Sequence, residues 1–93
     1  MELPTKYDEL TRDQKRWVRL EYVKRQNGNC WYCKEPLDGS PSEASLRYKI
    51  HLKWFPEGFM DNPVHLQHCH DTGLTEGAVH AHCNAVLWEY FGR

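Results

Sequence analysis

His65-Leu66-Gln67-His68-Cys69-His70-Asp71-Thr72-Gly73, followed shortly by His80-Ala81-His82-Cys83-Asn84, is the stretch that decides how this chain folds. Upstream, Cys30-Trp31-Tyr32-Cys33 forms a C-x2-C knuckle. A tetrahedral zinc ion takes four nitrogen or sulfur donors converging from two turns, and a knuckle answered by a second ligand pair at the same spacing supplies them. Cys30, Cys33, His80 and Cys83 fit that pattern. His82 lies two residues from His80 and competes for its role, but the spacing to Cys83 favours His80. Cys69 is expected not to be a ligand. The histidines around it either satisfy backbone groups or, with Cys69 as thiolate, form a second zinc site.

A chain of 93 residues makes one small domain. Below roughly 70 to 80 residues a core alone rarely supplies more than about 3 to 5 kcal/mol, so a metal staple has a thermodynamic reason here. The formal charge of −1 excludes a uniformly basic nucleic-acid binder, but the charge is unevenly spread. Between residues 11 and 28, Arg12, Lys15, Arg16, Arg19, Lys24 and Arg25 face only Asp13 and Glu21, whereas residues 54 to 93 are acidic. The basic run is either the solvated face of a helix or a grip on phosphate, with Arg16, Arg19 and Lys24 as the contacts. No signal-peptide core and no apolar run near 18 residues is present, so the expectation is a cytoplasmic protein without membrane contact, its thiols reduced. Two disulfides or a thioredoxin-like pair are the competing readings of the cysteines. The second lacks a βαβ context.

Residues 1–28 read as an N-terminal arm and basic helix, and 29–93 as the zinc-containing unit of one compact domain. Thr11 and Gln14 make a capping-box signature, and the helix should run to about Gln26 before Asn27-Gly28 ends it. Trp17, Leu20 and Val23 or Lys24 fall on its expected core side, flanked by Val18 and Tyr22. From Ala44 to Trp54 apolar and polar residues alternate, which predicts a strand, with a helix as the rival for a segment opening Pro-Ser-Glu-Ala. Its basic outer face, Lys49 included, could touch nucleic acid, and His51 is either solvated or a phosphate contact. Val64 to Cys69 reads as a strand, Asp71 to Glu76 as a turn around Gly73, Gly77 to His80 as the returning strand, and Cys83 to Phe91 as a helix ended by Gly92.

The eighteen positions from Gln67 to Asn84 resemble, without a gap, the motif of the HNH, or His-Me finger, nucleases, and among them the recombination endonuclease VII type found in phages. That motif runs Asp or His, His, Asp or Cys, His, any residue, Thr-Gly, a turn, then Cys-x2-Cys-Asn. With the upstream knuckle and the strand, strand, helix order, the resemblance covers roughly residues 28 to 92. It implies an α+β fold, a zinc-stapled ββα-metal domain with an N-terminal helix, that hydrolyses DNA phosphodiester bonds as a monomer or homodimer. His68 takes the general-base slot, His70 belongs to the same catalytic motif, and Asn84 matches the asparagine that ligates the catalytic Mg²⁺ or Mn²⁺ or braces the base. A neutral imidazole suits the removal of a proton from water at neutral pH. Gln67 stands where the family places its first metal ligand, and its amide oxygen is a poorer donor to a hard cation than a carboxylate. Two functions follow: an active metal-dependent endonuclease, or a non-catalytic zinc module that binds nucleic acid or protein and retains the fold with a degraded site.

Overall fold

A computed structural model describes residues 2–92; Met1 and Arg93, the outer ends of the two expected units, lie outside them. Among the described residues three α-helices, α1 (Arg12–Arg25), α2 (Glu43–Leu46) and α3 (Ala81–Phe91), surround one antiparallel pair of strands, β1 (Val64–His68) and β2 (Thr75–His80), in an α+β arrangement.

Helix α1 starts where the capping box predicts. The Thr11 side chain accepts from the Gln14 N–H at 3.1 Å, and the Gln14 side chain accepts from the Thr11 N–H at 2.8 Å. Its core face is Val18 and Tyr22, four residues apart, rather than the predicted Trp17 and Leu20, which are exposed. The Tyr22 hydroxyl decides this: it donates to the Thr75 carbonyl at 3.2 Å and contacts Thr75 Oγ1 at 2.9 Å, fixing that face of the helix on β2. One turn later Gln26 acts as a strand substitute. Its Oε1 accepts from the Ala78 N–H and its Nε2 donates to the Ala78 carbonyl, each at 2.9 Å, and the Trp31 N–H donates to the same carbonyl. At the other end of β2 the N-terminal arm takes over, with the Thr75 N–H donating to the Thr5 carbonyl and the Tyr7 N–H to the Gly73 carbonyl. The N-terminal arm is therefore docked, and these groups satisfy the edge of β2 without a third strand.

The predicted strand across residues 44–54 does not form. The segment holds α2, capped by Ser42 through the Ser45 N–H, and a 3-10 turn at Leu52–Trp54. Ala44, Leu46, Leu52 and Trp54 are exposed, so the alternation buries no apolar face. Tyr90 and Glu89 of α3 tie this loop down: the Tyr90 hydroxyl donates to the Lys49 carbonyl, and Glu89 accepts from the His51 N–H at 2.9 Å and pairs with its ring at 2.8 Å. His51 is thus a brace and not a free surface histidine.

In the hairpin, Val64 pairs with His80, Leu66 with Ala78 and Gln67 with Gly77, but His68 pairs with Thr75. Glu76 is the extra residue of a β-bulge, which re-aims its side chain. Gly73, at φ 76°, closes the turn, its N–H bonded to the Cys69 carbonyl at 2.8 Å. The core gathers Val18, Tyr22, Leu37, Ala78, Val79 and Leu87 with Cys30 and Cys83.

Gly77 is required by close packing. A Cβ there would lie 2.7 Å from Trp31 Cγ and 2.7 Å from Gln26 Oε1. Gly77→Ala should cost about 1–3 kcal/mol by overpacking, read as a lower urea midpoint at unchanged slope. An unchanged midpoint would mean that the knuckle and α1 do not press on β2 as described.

Candidate metal centre and adjoining pocket

The knuckle is folded for ligation before any ion is considered. The Cys30 N–H donates to the Glu35 carbonyl at 2.8 Å, the Lys34 N–H to the Cys30 carbonyl at 3.0 Å and the Cys33 N–H to Cys30 Sγ at 3.4 Å. His80 closes β2 and occupies the N-cap of α3, which puts Cys83 in the first turn of that helix, where the backbone N–H groups favour a thiolate. Ligand atoms of Cys30, Cys33, His80 and Cys83 all lie within 4.8 Å of one another. His80 Nδ1 is 3.4 Å from Cys33 Sγ and 3.7 Å from Cys83 Sγ. Bonds of about 2.3 Å to sulfur and about 2.0 Å to nitrogen set tetrahedral edges of roughly 3.5–3.8 Å, so this group could hold a metal ion such as zinc with little rearrangement.

The surrounding contacts orient the donors. His80 Nε2 donates to the Pro36 carbonyl at 2.8 Å, which leaves Nδ1 for the metal, and Ser45 Oγ lies 3.1 Å from Cys83 Sγ. The hydrogen bond with Cys83 brings the Cys30 thiol down to about 4 while the same contact pushes Cys83 up, as expected of two thiols sharing one proton. A divalent cation would take that proton's place. His82 stands outside the converging group, and its Nε2 donates to the Ser45 carbonyl at 2.9 Å. No disulfide forms: all four cysteines are free.

Beside this centre lies a second constellation. Gln67, His68, His70 and Asn84 line one pocket of about 360 Å³ with Tyr7, Leu66, Trp54, Phe55, Pro56, Phe59 and Trp88. The His68 ring stacks on Tyr7 with centroids 3.9 Å apart and meets His70 edge-on at 4.8 Å. Lys15 Nζ sits 4.1 Å from the Tyr7 centroid. Burial, with the charge of His70 second, holds the His68 imidazole below its ordinary value. Asn84 Nδ2 donates to His65 Nδ1 at 3.0 Å, which leaves the Asn84 amide oxygen for other partners. Burial likewise lowers His65, partly offset by hydrogen bonding to the backbone of Phe59 and Asn62.

Gln67 is buried, and its amide nitrogen donates to the His68 carbonyl at 2.8 Å and to Glu76 Oε1 at 3.3 Å. From the sequence Glu76 carries no expected role, and His65 only that of sharing, as an alternative to His70, the metal contacts of the weak ligand Gln67. The bulge that aims Glu76 leaves no trace in the residue pattern, whereas His65 stands two residues before Gln67 on the alternation of β1 and was readable. Among the described residues no second group of three or more His, Cys, Asp or Glu side chains converges. Arg16, Lys24 and Lys49 are exposed. Arg19 instead lines a separate groove of about 810 Å³ with Leu20, Val23 and Leu37, which contains none of the candidate catalytic residues. No helix among the described residues is long and apolar enough to cross a membrane. Compared with known families, curated proteins and solved structures, the chain matches none of them.

Two variants test the centre. Cys83→Ser should lose bound zinc and melt well below the parent, since the binding energy of such a site is largely folding energy. Ser45→Ala should keep the fold but weaken zinc by about 10-fold or more in chelator competition, because it removes the hydroxyl that supports the Cys83 thiolate. Parental zinc content and melting in Cys83→Ser would remove the assignment.

Proposed function

We propose that this protein is a metal-dependent DNA endonuclease of the HNH, ββα-metal type, with His68 as general base and a separate structural zinc. The observation that carries the reading is the environment of His68. Its ring lies in the pocket wall, makes no hydrogen bond among the described residues, and is desolvated so that it stays neutral at pH 7. A neutral imidazole with an open lone pair can take a proton from a water aligned with a phosphodiester. Tyr7 fixes the plane of that ring by stacking, and His70 stands at its edge. The order β1, β2, α3, with Cys83-Asn84 in the first turn of the helix, matches what the resemblance implies.

A bound Mg²⁺ or Mn²⁺ would neutralise charge on the phosphoryl and leaving oxygens. The donors at hand are thin for a hard cation: the Asn84 oxygen, the Gln67 amide, and the Glu76 carboxylate that Gln67 holds. That commitment of Gln67 favours the second reading, a zinc module that binds nucleic acid or protein without cutting. Nicking of plasmid DNA by purified protein in Mg²⁺ or Mn²⁺ separates the two.

His68→Ala should abolish nicking while zinc content stays parental, with melting lowered only by the loss of the Tyr7 stack. In the parent, the rate should be level near neutrality and fall as the pH drops below the lowered His68 value, because the base works only when unprotonated. Nicking retained in His68→Ala would move the base elsewhere. The Gln67 position has its own test. Gln67→Glu would set a second carboxylate against Glu76 where residue 67 is buried, and at neutral pH without added divalent ion should cost roughly 2 kcal/mol or more. Recovery of the melting temperature by Mn²⁺, absent in the parent, would support a cation position there. No recovery would count against it.

A further inference from the structure

We infer that the pocket beside His68 takes an unpaired nucleotide, so that the substrate is single-stranded or locally unpaired nucleic acid and not uninterrupted duplex. This rests on the nuclease reading for the meaning of the site, but it is tested by binding. The pocket is an aromatic bay. Trp54, Phe55, Phe59 and Trp88 line it together with the stacked Tyr7 and His68. Phe55 meets Trp88 edge-on at 5.2 Å and lies tilted against Phe59 at 4.7 Å, so rings of the lining brace one another. Trp54 and Trp88 are nevertheless 55 % and 44 % exposed, far more than core packing needs.

Trp54 is the clearest case. One ring contact is with His51, stacked at 4.4 Å, and His51 is fixed by Glu89. An indole set rigidly at a pocket rim, with a large part of its surface left to solvent, is a stacking platform. Two cations flank the bay, Lys53 in the turn of Trp54 and Lys15 over Tyr7, while Asp8 and Glu76 act on His68 from its other side and Glu89 is engaged by His51. An occupant that offers a flat π-face, with a phosphate within reach of the two lysines, fits this bay. A nucleotide does so, and a volume of about 360 Å³ lies in the range of small-ligand pockets. In a continuous duplex both faces of each base are covered by neighbours, and extruding one costs a few kcal/mol, least where it is already unpaired. A single strand and a bulged duplex both supply such a base.

The experiment compares three fluorescently labelled DNA probes by anisotropy, without added Mg²⁺ or Mn²⁺: a single strand, the matching duplex, and that duplex with one bulged nucleotide. The parent should bind the single strand and the bulged duplex more tightly than the perfect duplex. Trp54→Ala should lose about 5-fold or more of the single-strand affinity while its salt slope stays parental, because stacking releases no counterions. Trp54→Phe should restore most of the loss, and both variants should melt as the parent does, since Trp54 lies outside the core. Equal or tighter binding of the perfect duplex, or parental affinity in Trp54→Ala, overturns the inference. A protein that cuts plasmid but shows no preference for unpaired DNA leaves the nuclease reading standing without it. One that prefers unpaired DNA through Trp54, yet cuts nothing, reverses that outcome.

Discussion

The convergence of Cys30, Cys33, His80 and Cys83 is the constraint on which the rest of this structure depends. Cys30, His80 and Cys83 are buried, and Cys30 and Cys83 belong to the apolar cluster itself, so the ligands occupy positions that a larger protein would fill with leucine or valine. The remaining aliphatic core is small. Four donors brought this close without a cation would have to keep protons to avoid mutual repulsion, which is visible in the opposed shifts of Cys30 and Cys83. A bound divalent ion turns that conflict into a cross-link between the knuckle and the junction of β2 with α3. Everything nearby serves that junction: the Pro36 carbonyl turns His80, and Ser45 from the otherwise weakly anchored α2 supports Cys83.

Fixing the end of β2 also fixes what lies across from it. His80 and Val64 are paired, so the register that places His80 among the four donors carries Gln67, His68 and the Asn84 turn into one pocket. Gly77 lets Trp31 and Gln26 close on the strand, and the edge of β2 is then occupied along its length by Gln26, Trp31 and Thr5. The chemistry proposed for His68 therefore stands on a hairpin whose position is set at the metal end, with the Tyr7 stack locking the other.

Much of this was legible in the residues because it rests on local rules. The capping box at Thr11 and Gln14 and the x2 spacing of both ligand pairs are short-range signals, and each formed as read; the turn at Gly73 formed too, but β2 begins at Thr75, inside the expected turn of Asp71 to Glu76. The misreadings came from tertiary competition. Residues 44–54 alternate like a strand, yet β2 has no free edge to offer them, and Ser42 caps a helix instead. Trp17 and Leu20 look like a core stripe, but the hydroxyl of Tyr22 and the amide of Gln26 bond to β2 and rotate α1 away from them. The Glu76 bulge and its effect on Gln67 depend on register, which residue patterning does not carry.

That bulge shows how the pocket differs from the metal centre. At the centre, like-charged donors are collected on the expectation of a cation. At Gln67 a neutral amide is set beside Glu76, and the amide donates to a carboxylate oxygen that a cation would otherwise take. The opposite wall is the loop carrying Trp54, Phe55 and Phe59, tied to α3 by one histidine–glutamate contact, a tyrosine hydroxyl and ring edges, with no aliphatic side chain driven into the core. Such a wall is held by ring and polar contacts rather than by apolar side chains of the core. The two walls therefore answer different needs. The hairpin keeps an imidazole in a fixed place, while the aromatic loop presents ring faces to a base or ring laid against it.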